Sequence, residues 1–332
     1  MRLSFLTGLI ALGAAAPLAA QQPTAEQPAE PRIEITESID LERDRTQRMT
    51  VPVSIDGRGP YRFIVDTGAE RTVISRELAN ELALDPGRTA TVYSMSEVSR
   101  IGTVVIPALE VGRRTVNQIH APALARRDLG AEGLLGIDSL RSQRVELDFV
   151  RQEMTVTPSR REEQAWPDET IVITARSRYG HLMLVDASLD GERIYVIVDT
   201  GAQVTVANDA LRRRLERRGR LGPLQPVQLI SVTGGRIEAE YGIARRIRLG
   251  GAGINNLPVA FAEVHPFQQL RLTEQPAILL GMDALRLFER VSFDFANRRV
   301  RLLVGGSSML EREVRTAARP DLAEPVRRPA AP

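Results

Sequence analysis

Two aspartates stand in the same short string, each at the end of an apolar run. The strings are Asp66-Thr67-Gly68-Ala69, after the run 61–65, and Asp199-Thr200-Gly201-Ala202, after the run 194–198. An apolar run of this length predicts a strand, and Asp and Gly are common turn formers at a strand end. A single copy would favour an ordinary loop. Two matched copies instead predict two carboxylates brought face to face.

A close pair of carboxylates has a chemistry of its own. The two groups do not both ionise easily, so they share one proton and titrate as a unit. One can act as a base on a water molecule while the other, protonated, polarises a carbonyl group. Asp66 and Asp199 are therefore the candidate catalytic residues of a hydrolytic site.

The residues around the two strings repeat as well. An Asp-Gly pair precedes each apolar run, at 56–57 and 190–191, and predicts a tight hairpin turn. An apolar-apolar-Gly-x-Asp-x-Leu string follows at 134–140 and again at 279–285. This duplication predicts two domain-sized lobes. Each copy then ends in two predicted strands, at 145–149 and 153–156 in the first and at 291–295 and 299–303 in the second.

These motifs resemble those of the aspartic protease family, in particular its retropepsin-like branch with Asp-Thr-Gly-Ala loops. The resemblance covers roughly residues 46–305 and is most specific where both strings occur in the same copy. It implies an all-β fold of two tandem retropepsin-like lobes with an active-site cleft between them. Both lobes would lie on one chain, as in pepsin-like members. The implied activity is that of an aspartic endopeptidase, which hydrolyses peptide bonds.

By the same resemblance, the neighbours of the aspartates support the two loops. The Thr67 and Thr200 hydroxyls are expected to bridge to the opposite loop, and the Gly68 and Gly201 N–H groups to orient the carboxylates. An alanine follows the glycine in both copies, where many pepsin-like enzymes have Ser or Thr. Without a hydroxyl group to stabilise the ionised form, the pair should be less acidic. We therefore expect activity at mildly acidic to near-neutral pH.

The family also places a β-hairpin flap over the bound peptide. Residues 227–238 alternate around Gly234-Gly235, which predicts a mobile substrate flap in the second lobe. The matching stretch 91–100 has no glycine at its tip and predicts a shorter, stiffer arm. A peptide or protein substrate would lie in the cleft as an extended strand with apolar side chains. The expected aliphatic lining is Val65, Ala69, Val198 and Ala202.

Other repeated or charged features have structural interpretations. Asp138 and Asp283 repeat too, and we assign them to structure because the paired loops already supply two carboxylates. Residues 207–218 predict an amphipathic helix with a solvated basic face rather than an anion site, and 75–84 is its shorter counterpart. The glycine-rich run 250–253 predicts a hairpin turn rather than a dinucleotide loop.

The composition argues against several kinds of site and partner. The chain has 332 residues and no cysteine, so neither disulfides nor thiolate chemistry is available. Its net charge is only +2, and no basic patch interleaved with aromatic residues indicates a nucleic-acid partner. No metal and no cofactor are expected. The three histidines, which are not spaced as zinc ligands, are His120, His181 and His265.

The start of the chain predicts export. A basic residue, an apolar stretch and small residues in 1–20 are typical of a secretory signal cleaved near Ala20, and a retained membrane anchor is the rival interpretation. We expect an exported monomer without stable membrane insertion, periplasmic if the source is a Gram-negative bacterium. A short helix could form at 309–318. The predicted organisation is a signal peptide at 1–20, a flexible leader at 21–45, a first lobe at 46–158, a linker at 159–169, a second lobe at 170–305 and a largely disordered tail at 306–332.

The sequence leaves two alternatives open. The chain could be a noncatalytic peptide-binding protein that retains the aspartic protease fold, which the glycine-free first flap favours. Each repeat could also pair with a repeat of another chain. Pairing within one chain has the advantage of a high effective concentration through a short linker.

Overall fold

A computed structural model of the chain describes residues 38–40, 42–43, 49–112, 114–159, 166–168, 170–305 and 313–314. The predicted signal peptide and most of the predicted leader, linker and tail lie outside the described residues. The fold can therefore be followed through both repeats of the sequence.

The first repeat is built almost entirely of strands. In chain order its elements are β1 (Ser38–Asp40), β2 (Glu42–Arg43), β3 (Met49–Ile55), β4 (Arg58–Val65), β5 (Val73–Ser75), α1 (Arg76–Glu81), β6 (Ala90–Tyr93), β7 (Val98–Ile101), β8 (Thr103–Val111), β9 (Arg114–Leu124), α2 (Arg126–Leu129), β10 (Gly133–Leu135), α3 (Ile137–Leu140), β11 (Gln143–Asp148) and β12 (Glu153–Pro158).

The second repeat follows the same plan. Its elements are β13 (Ile171–Arg178), β14 (His181–Leu184), β15 (Ala187–Leu189), β16 (Glu192–Arg193), β17 (Tyr195–Val198), β18 (Val206–Ala207), α4 (Asp209–Arg217), β19 (Gln225–Ile230), β20 (Arg236–Leu249), β21 (Ala252–Phe261), α5 (His265–Gln269), β22 (Ala277–Leu280), α6 (Met282–Leu285), β23 (Arg290–Asp294), β24 (Arg299–Leu303) and β25 (Glu313–Val314).

Both predicted Asp-Gly turns are confirmed. Asp56 and Gly57 have φ values of 51° and 71°, and Asp190 and Gly191 have values of 47° and 80°. Positive φ at both central residues defines the type I′ turn, whose twist matches that of the flanking strands. The turns therefore fix how each apolar run enters its sheet.

A parallel strand pair brings the two repeated strings of each copy together. β4 pairs with β10, and β17 pairs with β22, in parallel. The pairing continues one residue further, because the Asp66 N–H donates to the Leu135 carbonyl and the Asp199 N–H to the Leu280 carbonyl, both at 3.0 Å. Each aspartate thus leaves its strand beside the Gly-x-Asp-x-Leu string of its own lobe.

The last two strands of each repeat, flanked by the first strand of each, form an interlobe sheet in the order β1-β12-β11-β23-β24-β13, which continues into the second lobe through β14. β11 and β23 join the two lobes by antiparallel pairing, with Val145 opposite Phe293 and Leu147 opposite Val291. All four side chains are fully buried. The predicted all-β fold of two lobes is confirmed, and the two repeats pair within one chain.

The helix predicted at 207–218 forms as α4 and buries Leu211 and Leu215, as expected. Its counterpart is α1. The basic face of α4 is not purely solvated, because Glu192 is buried against it: an oxygen of Glu192 lies 2.8 Å from a guanidinium nitrogen of Arg218. Two further guanidinium groups lie within 3.9 Å of the same carboxylate, those of Arg214 and Arg220.

Two other predictions concern the later part of the chain. The run 250–253 lies at the hairpin between β20 and β21, as predicted: Gly250 and Gly251 make the turn, and the next two residues begin β21. The suggested helix at 309–318 lies mostly outside the described residues, and its described part is the strand β25, which pairs with β21. No helix among the described residues combines the length and apolar character needed to cross a bilayer.

We predict that the Glu192→Gln substitution destabilises the fold while the chain remains folded. It removes the charge shared by three arginines, which remain half exposed and can partly hydrate, so we expect a loss of about 2 kcal/mol in the free energy of unfolding. Urea titration measures it. The control is Glu216→Gln on the exposed side of α4, where the ion pair with Arg212 should contribute less than about 0.5 kcal/mol. Equal losses in both variants would contradict the assignment.

Candidate active site

The two Asp loops are joined by four reciprocal hydrogen bonds. The Thr67 N–H donates to the Thr200 hydroxyl at 3.0 Å, and the Thr200 N–H donates to the Thr67 hydroxyl at 3.1 Å. The hydroxyls in turn donate to the opposite strand, from Thr67 to the Val198 carbonyl at 3.0 Å and from Thr200 to the Val65 carbonyl at 2.7 Å. Because all these groups are buried, water does not compete for them.

Backbone N–H groups hold each carboxylate in one orientation. Oδ1 of Asp66 accepts from Gly68 at 2.7 Å and from the next residue, Ala69, at 3.0 Å. Oδ1 of Asp199 accepts from Gly201 at 2.9 Å and from the alanine after it at 3.0 Å. Both aspartates are fully buried. The glycine donors were expected from the sequence, whereas the alanine donors were missed because any residue except proline supplies an N–H group.

The first carboxylate lies directly against the opposite loop. A Cβ atom added to Gly201 would overlap the carboxyl group of Asp66. Only glycine leaves room for this approach. The structure therefore brings the predicted residues Asp66, Thr67, Thr200 and Gly201 together at the junction of the lobes.

Asp138 and Asp283 each bind a threonine of their own lobe and close that lobe's own loop. Asp138 accepts from the Thr72 N–H at 2.9 Å and from its hydroxyl at 2.8 Å. Asp283 accepts from the Thr205 N–H at 2.9 Å and from its hydroxyl at 2.8 Å. Burial raises the pKa of Asp283 to about 6 and also raises the pKa of Asp138, although the bonds from the threonines oppose this. This geometry agrees with a structural role.

Thr72 and Thr205 are site residues that sequence reasoning missed. Besides binding the aspartates, their hydroxyls accept from the N–H groups of Gly136 and Gly281, both at 3.2 Å. A signal was present, since each threonine stands six positions after its loop aspartate. The two threonines tie each Asp loop to the Gly-x-Asp-x-Leu string.

Two hairpins lie at the positions of the predicted flaps, and we call them the first and the second flap. The first flap consists of β6, β7 and the tip 94–97, and the second consists of β19, the start of β20 and the tip 231–235. The second tip turns at Gly234, whose φ of 84° suits glycine. The first tip closes without a glycine, by a bond from the Ser94 N–H to the Glu97 carbonyl at 2.9 Å. The first flap is therefore a complete hairpin.

The two flap tips meet. The Thr233 hydroxyl donates to the Ser94 hydroxyl at 3.1 Å. Met95 also contacts the second lobe, because its carbonyl accepts from the His265 N–H at 3.2 Å. The His265 ring stacks on Tyr93, with the ring centroids 4.9 Å apart. The first flap thus rests on the second lobe.

Each lobe has an apolar cluster beside its Asp loop, and each cluster receives a side chain from the opposite flap. The first cluster includes Ala69, Val73 and Leu134 of the first lobe, and Val232 of the second flap joins it. The second cluster includes residues of the second lobe, and Met95 of the first flap joins it. Both tip side chains are buried. The second cluster also contains Ile197, on the strand that leads to Asp199, together with Val206 and Leu279 on the two strands that follow in the sheet.

The expected cleft lining is partly wrong. Val65 and Val198 belong to the main hydrophobic core instead, because side chains alternate along a strand and the neighbouring Ile197 points to the other side. Ala69 does belong to the cluster that Val232 enters. Ala202 is fully buried. Among the residues that the structure describes, no group of three or more His, Asp or Glu side chains is arranged to hold a metal ion.

Comparison with known families gave a match in each repeat. Residues 51–142 match the model of an aspartyl protease of gag polyproteins. Residues 185–284 match a second model, described as aspartyl protease. Comparison with individually curated proteins gave no match. The two matches lie in tandem and cover both Asp loops.

We predict that the Asp283→Asn substitution changes stability in a pH-dependent way. The folded-state pKa of about 6 lies above the ordinary 3.8, so the folded state binds more protons and this group's contribution to stability falls as the pH rises from 4 to 7. Asparagine does not titrate. The wild type should therefore exceed the variant in stability most at pH 4, and the difference should shrink towards pH 7 by up to about 3 kcal/mol.

Urea titrations at several pH values test this prediction. Thr205→Val is the matched control, because it removes the hydroxyl bond to the same carboxylate, keeps the backbone N–H bond and leaves the group able to titrate. That variant should lose stability and should show at least the wild-type fall in stability from pH 4 to 7, because the bond that it removes lowers the pKa of Asp283 in the wild type. A difference between Asp283→Asn and the wild type that stays constant from pH 4 to 7 would contradict the raised pKa.

Proposed function

Because the chain belongs to the aspartyl protease family, with two retropepsin-like domains in tandem, we propose that it is an aspartic endopeptidase that activates water between Asp66 and Asp199. One observation carries the proposal. Two buried carboxylates are held in matching orientations by backbone N–H groups, on loops that reciprocal threonine bonds join. A domain pair that had lost catalysis would still need the threonine bonds to dock its lobes, but it would not need two buried carboxylates in matching orientations.

The proposed reaction uses the two aspartates in complementary protonation states. The ionised one takes a proton from water as the water oxygen adds to the carbonyl carbon of the peptide. The protonated one donates its proton to the carbonyl oxygen. In the collapse of the tetrahedral intermediate, one of its hydroxyls returns a proton to the aspartate that is now ionised. The C–N bond breaks as the other aspartate gives the leaving nitrogen the proton it took from water, so the pair again shares one proton. Because the site is buried, hydrogen bonds act at low dielectric and the groups are fixed before the reaction.

The loop alanines bear on the working pH. Ala69 and Ala202 contribute only their N–H groups to the carboxylates, and neither side chain can add a hydroxyl donor. The ionised carboxylate therefore accepts one hydrogen bond fewer than it would with serine or threonine at the position after the glycine. We propose a working range from mildly acidic to near-neutral pH.

Substrate would bind as an extended strand between the Asp loops and the flaps. Met95 and Val232 are buried in the opposite lobe's cluster and the tips share the bond between Ser94 and Thr233. Entry of a peptide therefore requires the tips to separate. Since the clusters are apolar, we propose that apolar side chains of the substrate are preferred beside the scissile bond.

Export is a further part of the proposal. The composition of residues 1–20 supports a cleaved signal, and in a Gram-negative source the mature protein would be periplasmic. Pairing of both loops within one chain supports a monomer, because no second chain is needed to complete the carboxylate pair.

The first test replaces each loop aspartate. Asp66→Asn and Asp199→Asn should each lower peptide cleavage by about 10³-fold, since both carboxylates are needed to share the proton. Their thermal midpoints should stay close to that of the wild type. The measurement is cleavage of a mixed peptide library across a pH range. Binding of peptides without cleavage by the wild type would support the noncatalytic alternative, and full activity in either variant would exclude the pair as the catalytic groups.

The second test locks the flaps. The chain has no cysteine, so a Ser94→Cys/Thr233→Cys variant introduces one possible disulfide, at tips whose hydroxyl oxygens lie 3.1 Å apart. The oxidised variant should not cleave peptides, and reduction should restore activity. Each single-cysteine variant serves as a control and should respond to neither reagent. Full activity with the disulfide formed would show that the tips need not separate.

A further inference from the structure

His181 is a buried histidine that connects the two catalytic loops. It begins β14, two residues before Met183, and Met183 pairs with Ile197 on β17, the strand that leads to Asp199. Its side chain is only 1% exposed. The imidazole interacts with the backbone of Thr67, which belongs to the loop of the other lobe. His181 therefore contacts the first loop from a position next to the strand that carries the second.

Glu70 is a second residue of the first lobe that lies against the second lobe at this point. It follows the first Asp-Thr-Gly-Ala string, and its Oε1 lies 3.9 Å from Nε2 of His181. The same oxygen accepts from the Nε2 of Gln269, at the end of α5 in the second lobe, at 3.0 Å. Gln269 of the second lobe thus binds the residue that follows the first Asp-Thr-Gly-Ala string, and His181 lies beside the same carboxyl group.

The duplication does not repeat this arrangement. The position equivalent to Glu70 is Gln203, which carries no charge. The backbone at the two positions is otherwise the same, since the carbonyl of each accepts from the N–H group of its lobe's structural aspartate, Asp138 at 3.2 Å and Asp283 at 3.1 Å. The difference between the loops therefore lies in the side chains.

The imidazole is neutral under the conditions proposed for catalysis. Burial lowers the pKa of His181 to about 4, and the interaction with the Thr67 backbone opposes this only in part. A neutral imidazole carries one N–H donor and one acceptor. It can donate to the Thr67 carbonyl without bringing a second charge into the buried site.

We propose that His181 and Glu70 form an interlobe brace that positions the first catalytic loop and makes Asp66 and Asp199 chemically unequal. His181 is a positioning residue, since it acts on Asp66 through Thr67, the residue directly after it. The brace rests on the proposed function for its consequence in catalysis. Its structural part, a first loop held from the second lobe, is independent of that function.

Kinetics of three variants test the consequence in catalysis. His181→Leu removes the donor and should lower kcat about tenfold, with KM changed less than about twofold, because the site is misaligned rather than blocked. His181→Gln retains a donor and should recover most of kcat. Glu70→Leu should lower kcat similarly, and Gln203→Leu is its matched control in the second loop, with little effect.

A double-mutant cycle separates a brace from two independent residues. If His181 and Glu70 act together, the His181→Leu/Glu70→Leu variant should lose little more kcat than either single variant. Losses that multiply, an equal loss in Gln203→Leu, or no difference between His181→Leu and His181→Gln would overturn the proposal. His181→Gln and Glu70→Leu keep the test available if His181→Leu does not fold.

Amide hydrogen exchange tests the structural part without any substrate. In His181→Leu and Glu70→Leu, the amides of 66–70 should exchange faster than in the wild type, while those of 201–202, which donate to Asp199 within the second loop, keep their rates. Unchanged exchange at 66–70 would overturn the brace. If the wild type cleaves no peptide, the proposed function fails, and this measurement still decides whether the brace exists.

Discussion

The reciprocal bonds between Thr67 and Thr200 are the constraint on which the site depends. Each threonine uses its N–H group and its hydroxyl on the other loop, so neither loop can satisfy its buried polar groups alone. An unpaired buried donor costs about 1–3 kcal/mol, and four bonds cross the junction. The catalytic geometry and the docking of the lobes are therefore the same interaction. The interlobe sheet adds the apolar contact that holds the two loops in register.

That constraint explains why the rest of each loop is organised from inside its own lobe. In each lobe the carboxylate of Asp138 or Asp283 accepts hydrogen bonds from the N–H and hydroxyl groups of one threonine. The oxygen of that hydroxyl accepts a hydrogen bond from the N–H group of the glycine in the Gly-x-Asp-x-Leu string. A loop fixed in this way presents its own threonine to the partner loop without further ordering. Preorganised donors are what a charged transition state requires, because no energy is then spent on reorienting them.

Most of the elements that occur in both repeats could be predicted from the sequence. The Asp-Gly hairpins, the strands before each loop, α4 and the final strands were all found from local patterns, because each depends on residues that are neighbours in the chain. The Thr72 and Thr205 pair could have been found from its constant spacing. The cleft lining was partly wrong because the sequence does not say which face of a short buried strand meets the cleft. The exchange of Met95 and Val232 between lobes could not be predicted, since it depends on contacts between tips far apart in the sequence.

Features present in only one copy are the hardest to predict from the sequence, because no repeat points to them. They are also the features by which the two lobes differ. A symmetrical pair of carboxylates has no reason to protonate one member in preference to the other. Peptide hydrolysis, however, needs one acid and one base at the same moment. A charge at Glu70 opposite the neutral Gln203, and one buried imidazole beside the first loop, supply a difference between the two sides. Two lobes on one chain can keep such differences, whereas two identical chains would carry every substitution twice.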